Sequence, residues 1–231
     1  YFLIHDGTLG SSMMRYDGNP QSLGQFDVED RSFPFRLLKP SPKVAIIGAA
    51  GGKEIMASLH FDAEHVTGAE LNPVTVSLLR THFADFTGHL TDNPKVTLVN
   101  AEGRSFLGAS HDRFDLVWYV APDSYAAMNA ATSGAFVLSE SYLYTREMIV
   151  AALEHLTDDG IVCAQFGEIS YEDRPNRTVR YLGTAREAFQ KIGIDDFAHH
   201  VLVATSPGFG KVVNSSILMK RTPFTEADVR A

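Results

Sequence analysis

The sequence predicts an α/β fold built on one mostly parallel sheet that ends in an antiparallel hairpin. Three observations carry that prediction. The stretch Lys43-Val44-Ala45-Ile46-Ile47-Gly48-Ala49-Ala50-Gly51-Gly52-Lys53-Glu54 reads as a short buried strand and a turn of small residues that opens a helix. Beyond it, short β-branched apolar runs alternate with helical patterns, as expected of strands buried on both faces. Near the C-terminus two strand-like runs are separated only by Ser206-Pro207-Gly208-Phe209-Gly210-Lys211. That connection is too short for a parallel crossover, so the last two strands run antiparallel.

Taken in order, residues 1–38 differ in character from the rest. Tyr1-Phe2-Leu3-Ile4-His5-Asp6-Gly7-Thr8-Leu9-Gly10 reads as a strand with an Asp-Gly turn, Asp17-Gly18-Asn19-Pro20 as another turn, and an irregular acidic stretch runs to Asp30. This small β-rich N-terminal extension, 1–38, gives way near Lys39-Pro40-Ser41-Pro42 to the main domain, 39–231. Strands are expected at 43–47, 65–69, 95–99, 114–120 and 160–166, with helices at 52–60, 73–84, 103–109 and 140–156. Asn72-Pro73 sets a cap residue before a proline at the first helical position. Asp158-Asp159-Gly160 closes one helix and starts the fifth strand. A helix at 175–191 precedes the final strands, 197–205 and 212–220. Five parallel strands plus a terminal hairpin make the Rossmann-like sheet of class I methyltransferases; redox Rossmann proteins usually carry a sixth parallel strand instead.

Composition narrows the function classes. With 20 basic and 28 acidic residues the 231-residue chain carries a net charge of −8, which argues against binding a nucleic-acid backbone. A single cysteine, Cys163, rules out a disulfide framework and fits a reducing, cytoplasmic setting. No apolar run reaches the roughly 18 residues of a membrane span. The chain begins at Tyr1 rather than Met, as a trimmed piece of a longer protein would, so the parent is free to carry membrane segments.

Three strand tips can be set around one ligand. Gly48, Ala49, Ala50, Gly51 and Gly52 follow the first strand of the main domain. Glu70, with Leu71 and Asn72, ends the second. Glu102 and Gly103 follow the third. In open α/β sheets ligands lie beyond the carboxyl ends of the strands, and a helix N-terminus offers unpaired N–H groups. A carboxylate at the tip of the second strand accepts hydrogen bonds from both ribose hydroxyls, so Glu70 is the candidate sugar-binding residue. Glu102, or the backbone beside it, would meet the adenine edge. As structural alternatives, Glu70 favours the dipole of the helix that follows and Glu102 caps a helix.

The order of these parts, with Val96-Thr97-Leu98-Val99-Asn100-Ala101-Glu102-Gly103-Arg104-Ser105-Phe106-Leu107 and Arg113-Phe114-Asp115-Leu116-Val117, resembles the spermidine synthases (polyamine aminopropyltransferases) over roughly residues 1–168. That resemblance implies binding of decarboxylated S-adenosylmethionine and transfer of its aminopropyl group to an amine. Tyr1 to Gly7 and Lys220 to Thr225 are also similar to spermidine synthase-like domains fused to membrane segments. The departures point elsewhere. The family's Gly-Gly-Gly-Asp-Gly-Gly turn places its tail-facing Asp on Gly51, and Lys53 is added nearby. Its Asp-Ser/Thr-x-Asp-Pro pattern falls on Val120 to Ser124 and keeps only Asp123. Its overhanging Gln corresponds to Gly10, and its Tyr-His-Glu segment has no counterpart. A polyamine pocket needs carboxylates to offset desolvation of a multiply charged cation, so these losses make a polyamine acceptor an unfavourable expectation.

Intact S-adenosylmethionine carries a carboxylate that Lys53 or the helix amides could meet. Methyl transfer from S-adenosylmethionine to a small-molecule acceptor is therefore the expectation. Aminopropyl transfer with an altered amine pocket is the alternative, and a non-catalytic nucleoside-binding regulatory domain of a membrane protein is the third. Asp123 is the candidate base, with Tyr125 beside it and Tyr119 near the cofactor. Tyr142, Tyr144, Gln165 and Glu168 are candidates for an acceptor pocket. The reading leaves room for a homodimer and expects no metal: His199 and His200 alternate across a strand, and no zinc or hydrolase signature is present.

Overall fold

The computed structural model describes residues 1–5, 8–120, 142–208 and 210–230. Strands β1 (Phe2–His5) and β2 (Thr8–Ser12) pair as an antiparallel hairpin. The acidic stretch that follows is not irregular. It winds into two 3₁₀ segments, Pro20–Asp27 and Asp30–Arg36, the first started by Asn19, whose side chain accepts from the Gln21 amide at 3.1 Å. A proline fixes φ in the helical range at the head of that first segment, and a second proline sits inside the other.

The main body runs β3 (Lys43–Ile47), α1 (Lys53–His60), β4 (His65–Glu70), α2 (Pro73–Arg80), β5 (Val96–Asn100), α3 (Gly103–Ala109) and β6 (Phe114–Tyr119). It continues with α4 (Arg146–Glu154), β7 (Leu156–Glu168), α5 (Asn176–Lys191), β8 (Val201–Pro207), β9 (Val213–Met219) and α6 (Glu226–Arg230). The sheet order is β5-β4-β3-β6-β7-β9-β8, with β5 through β7 parallel and β9 and β8 antiparallel. This is the mostly parallel sheet with a terminal hairpin that the sequence predicts. The chain builds outward from β3 to β5 and then returns to β6 beside β3. The strand order therefore reverses between the carboxyl ends of β3 and β6, which is where such sheets hold ligands.

Period-two side-chain alternation divides the core into two layers. Val44, Ile46, Leu116, Trp118, Ile161 and Cys163 face Ile55, Met56 and Leu59 of α1 and Val76 and Leu79 of α2. Ala45, Ile47, Val117, Tyr119, Val162 and Ala164 face α3, α4 and α5 through Leu107, Ile149, Leu153, Tyr181 and Phe189. The N-terminal residues Leu3, Met13, Leu23 and Phe26 are buried in the first layer, so the extension shares a core with the sheet. No described helix is long and apolar enough to cross a membrane.

Several boundaries shift for local reasons. Helix α2 stops at Arg80, because the Thr81 hydroxyl bonds back to the Ser77 carbonyl at 2.7 Å and its backbone leaves the helical region. Helix α4 starts only at Arg146, capped by Thr145, whose hydroxyl accepts from the Met148 amide at 3.2 Å. Strand β7 already begins at Leu156, so Asp158 to Gly160 lie inside it as a bulge: Phe114 pairs with Leu156 but Leu116 with Ile161. A Cβ at Gly160 would stand 2.7 Å from the Phe114 carbonyl oxygen, which is why glycine occupies that bulge. His199 and His200 sit on a 3₁₀ turn, Phe197–His200, rather than on a strand. His199 pairs with Asp196 in solvent, and buried His200 meets the Lys220 carbonyl.

Opposite the ligand end, Asp115 ties the sheet to the linker. Its carboxylate accepts from the Lys43 amide at 2.9 Å and the Thr157 hydroxyl at 2.7 Å, and pairs with Lys39 at 2.9 Å. Burial alone would raise its pKa, but the Lys43 amide, the Thr157 hydroxyl and the Lys39 ammonium together outweigh it and hold the group below its ordinary value of 3.8. A depressed folded pKa stabilises fully above the unfolded value and loses that contribution as pH falls through the folded one. Asp115→Asn is therefore expected to lower Tm at neutral pH and to flatten the loss of stability between about pH 4 and pH 2. Thermal melts across that range test it, and identical acid limbs in the two proteins would refute it.

Candidate functional site

The turn after β3 is pinned before any ligand is considered. The amides of Gly48 and Ala49 both donate to the Ala69 carbonyl, at 2.9 and 3.0 Å, and the Gly52 amide closes on the Ala49 carbonyl at 2.8 Å. Gly48 and Gly52 take φ of 84° and 83°, values that glycine adopts freely, while Ala50 is held at φ 42°. A non-glycine residue in the left-handed region is strained by about 1–3 kcal/mol, and something must hold it there. Glu70 does. Its Oε2 accepts from the Ala50 amide at 2.8 Å and its Oε1 from the Asn72 amide at 2.7 Å.

The carboxylate predicted to grip a sugar thus lies at the tip of β4, turned inward between the glycine turn and the head of α2, and is 9% exposed. Each of its oxygens accepts one of these two amides and retains a second lone pair for a hydroxyl donor. Asn100, which sequence reasoning left unassigned, braces it from behind. Its side-chain amide donates to the carbonyls of Glu70 and Leu71 at 2.8 and 3.0 Å. Asn72 caps α2, with Oδ1 accepting from the Val74 amide at 2.9 Å. Leu71 leaves 43% of its surface exposed beside these polar groups, as an apolar wall for a flat ring would.

Glu102 takes its structural alternative. It caps α3, with Oε1 accepting from the Arg104 amide and Oε2 from the Ser105 amide, both at 2.9 Å. Gly103 is set by packing, because a Cβ there would come 2.5 Å from Ile47 Cγ2. Tyr119 ends β6 fully buried, and its hydroxyl has no hydrogen-bond partner among the described residues. Burial, then the neighbouring Tyr181 and Glu102, push its phenol well above the ordinary value.

Other expectations need correcting. Lys53 does not face the glycine turn as an available cation; its ammonium is bound by Glu29. That pair is one of three by which the N-terminal segment straps itself to α1, with Asp27 to His60 at 2.7 Å and Arg31 to Glu54 at 3.2 Å. Arg31 also donates to the Val120 carbonyl at 2.8 Å, just beyond the end of β6. Gly51 cannot carry the acidic side chain that the resemblance would put there, since a Cβ would fall 2.0 Å from the Ser12 carbonyl oxygen of β2. Gln165 is a satisfied core amide: it accepts from Trp118 Nε1 at 2.9 Å and donates to the Arg31 carbonyl and to Ser216 Oγ. Glu168 holds the first turn of α5, accepting from the amides of Arg177 and Thr178 at 2.7 and 2.8 Å. Neither lines an acceptor pocket, whereas Tyr144 does line a cavity beside β7. Asp123, Tyr125 and Ser139 lie outside the described residues, and Tyr142 opens the 3₁₀ turn Tyr142–Tyr144.

The family model for the spermine/spermidine synthase domain matches residues 32–193. A polyamine aminopropyltransferase of Streptococcus pneumoniae is 27% identical over 136 residues, covering 58% of this chain and 43% of that protein. Polyamine aminopropyltransferase 1 of Streptomyces coelicolor is 27% identical over 179 residues, covering 74% of this chain and 32% of that protein. The chain thus spans less than half the length of these curated relatives. Among solved structures, a spermidine synthase in complex with the transition-state analogue AdoDATO superposes with a TM-score of 0.59 at 16% identity, over 94% of this chain and 64% of that one. The spermidine synthase of Thermotoga maritima gives 0.59 at 18% identity, over 85% and 59%. At such identities the structural likeness speaks for the fold.

Replacing Glu70 by glutamine turns one of its two acceptors into a donor that opposes a backbone N–H. The unpaired amide is expected to lower the unfolding free energy by about 1–3 kcal/mol. Denaturant melts of Glu70→Gln measure this, and an unchanged midpoint would show that the bridge does not hold the turn.

Proposed function

The chain belongs to the spermine/spermidine synthase domain family, and from that premise we propose that it binds an adenosyl sulfonium, decarboxylated S-adenosylmethionine, and transfers its aminopropyl group to an amine. The observation that carries this reading is the Glu70 carboxylate. It is buried at the strand tip and aligned by two backbone amides, with lone pairs left for a pair of vicinal hydroxyls. Charge-assisted hydrogen bonds of that kind contribute about 1.5–3 kcal/mol each. Leu71 beside it suits an adenine face, and the turn from Gly48 to Gly52 suits close approach of the ribose and sulfur.

The expectation of methyl transfer from intact S-adenosylmethionine rested on the missing tail-facing Asp and on Lys53 or the helix amides meeting the cofactor's carboxylate. With Lys53 engaged by Glu29, the lysine's part of that support is withdrawn, and the family relationship favours the aminopropyl alternative. When bound, the sulfonium supplies an activated carbon whose leaving group is a neutral thioether. The acceptor nitrogen forms the new C–N bond as the C–S bond breaks, and the bonding electron pair passes to sulfur. The displaced proton goes to Asp123, the base proposed in the segment after β6, with Tyr125 two positions on. Arg31 holds the Val120 carbonyl, from which the chain continues toward Asp123. Orientation of this sort is where such a reaction gains most of its rate.

Titration calorimetry with decarboxylated and intact S-adenosylmethionine tests the choice of cofactor. The decarboxylated form is expected to bind more tightly, and Glu70→Gln to weaken methylthioadenosine by about tenfold or more. Tighter binding of the intact form would overturn the aminopropyl reading. Lys53→Met is expected to leave the ratio of the two affinities unchanged while lowering stability. A shift in that ratio would return Lys53 to the cofactor's tail.

A further inference from the structure

The glycine turn leads straight into α1, and the first two residues of that helix, Lys53 and Glu54, engage the N-terminal segment. Between the two runs a crevice lined by Glu29, Arg31, Ser32, Lys53, Glu54 and Trp118. Arg31 fixes its place in the sheet. It reaches Glu54 at 3.2 Å, on the helix that follows β3, and the Val120 carbonyl at 2.8 Å, just beyond β6. The strand order reverses between those two strands, so the crevice lies at the ligand end. It is filled by its own side chains.

Two carboxylates and two cations meet there, and the two pairs are not alike. The Glu54 side chain is 8% exposed, and a buried carboxylate stripped of its partner is strongly destabilising, so Arg31 stays with it. Glu29 and Lys53 are 28% and 31% exposed. An ion pair open to water to that extent contributes little, and its cation exchanges at small cost. In the same crevice Ser32 is buried, and its hydroxyl has no hydrogen-bond partner among the described residues. That oxygen has lone pairs for an ammonium N–H. Lys53 brings to Glu29 an ammonium on a four-carbon stem, the same group that a primary alkylamine carries at neutral pH.

We infer that Lys53 is a built-in occupant of the acceptor's ammonium site. The acceptor, a primary alkylammonium with a second amino group, binds by taking the place of Lys53 on Glu29. Lys53 then turns to solvent, and the Ser32 hydroxyl accepts a further N–H of the incoming ammonium. Glu29 stays paired throughout, and Arg31 keeps the N-terminal segment seated on Glu54. Held by one end, the acceptor has its other nitrogen free for transfer. The tethered Lys53 competes at an effective concentration on the order of millimolar, so the site stays occupied by the chain itself until the amine reaches a comparable level. That this amine is the acceptor rests on the aminopropyl-transfer reading; the exchange on Glu29 does not.

Trp118 is the chain's single tryptophan and lines the crevice, so its emission reports what happens there. The test titrates 1,4-diaminobutane into the full chain at constant ionic strength. Tetramethylammonium, a cation without N–H donors, is the control, and methylthioadenosine binding is measured in parallel. The diamine is expected to change Trp118 emission and tetramethylammonium to leave it unchanged. Lys53→Met is expected to tighten diamine binding about fivefold, the factor that loss of a partly exposed ion pair allows. Lys53→Arg keeps the competitor and leaves the affinity as it was, whereas Glu29→Gln weakens it about fivefold or more. Should Lys53→Met not melt cooperatively, Lys53→Gln carries the same expectation. The inference is overturned by unchanged or weaker diamine binding in the neutral variant, by an equal response to tetramethylammonium, or by no response in any of these proteins. Any of those results with methylthioadenosine still bound sinks this inference alone. The exchange without methylthioadenosine binding sinks the adenosyl reading and leaves the ammonium site standing.

Discussion

The arrangement at the ligand end of the sheet depends on one carboxylate and two backbone amides. Glu70 receives the Ala50 amide on one oxygen and the Asn72 amide on the other. It thereby joins the turn after β3 to the head of α2. The turn needs such a clamp because Ala50 is held in a left-handed conformation that an alanine does not choose. The same clamp offsets the cost of burying the carboxyl group, since both oxygens are already paired. A group aligned in this way can bind a diol without the entropic cost of ordering a free side chain. The structural role of Glu70 and the binding role proposed for it thus fall on the same atoms, and Asn100 fixes the Glu70 carbonyl.

The second organising feature is the N-terminal segment. The sequence reads this stretch as irregular and acidic, yet Asp27 and Glu29 pair with His60 and Lys53 of α1, and Arg31 pairs with Glu54. With Leu23 and Phe26 inserted into the core, the segment covers the α1 face next to the glycine turn. Two departures from the polyamine aminopropyltransferases have physical explanations here. Gly51 is a glycine because the backbone of β2 passes too close for any side chain. Lys53 is a lysine because Glu29 requires a cation at the first position of α1. Neither residue speaks for an intact S-adenosylmethionine tail.

The two sheet faces consequently differ in what they offer. On the side of α1 and α2, the space near Trp118 is closed by Gln165, Arg31 and Ser216, a network in which each polar atom of Gln165 is paired. On the side of α4 and α5, aromatic rings and arginines leave a cavity and two unsatisfied tyrosine hydroxyls. Polar groups buried without partners are uncommon in folded proteins.

Much of this was legible in the residues. The short β-branched apolar runs, the small-residue turn and the Asn72-Pro73 cap pointed to the strands, the sheet class and the position of Glu70, because each is a local preference of backbone or side chain. The same local reasoning mistook Lys53, Gln165 and Glu168 for ligand-facing groups. Their roles depend on Glu29, Trp118 and the head of α5, and none of those pairings is written in sequence spacing. By itself the sequence determined which segments pair into a sheet and which carboxylate sits at its ligand end. Only the tertiary structure decided which charges are already neutralised by neighbours and which remain to meet a ligand, because neutralisation depends on distances of a few ångströms between residues far apart in the chain.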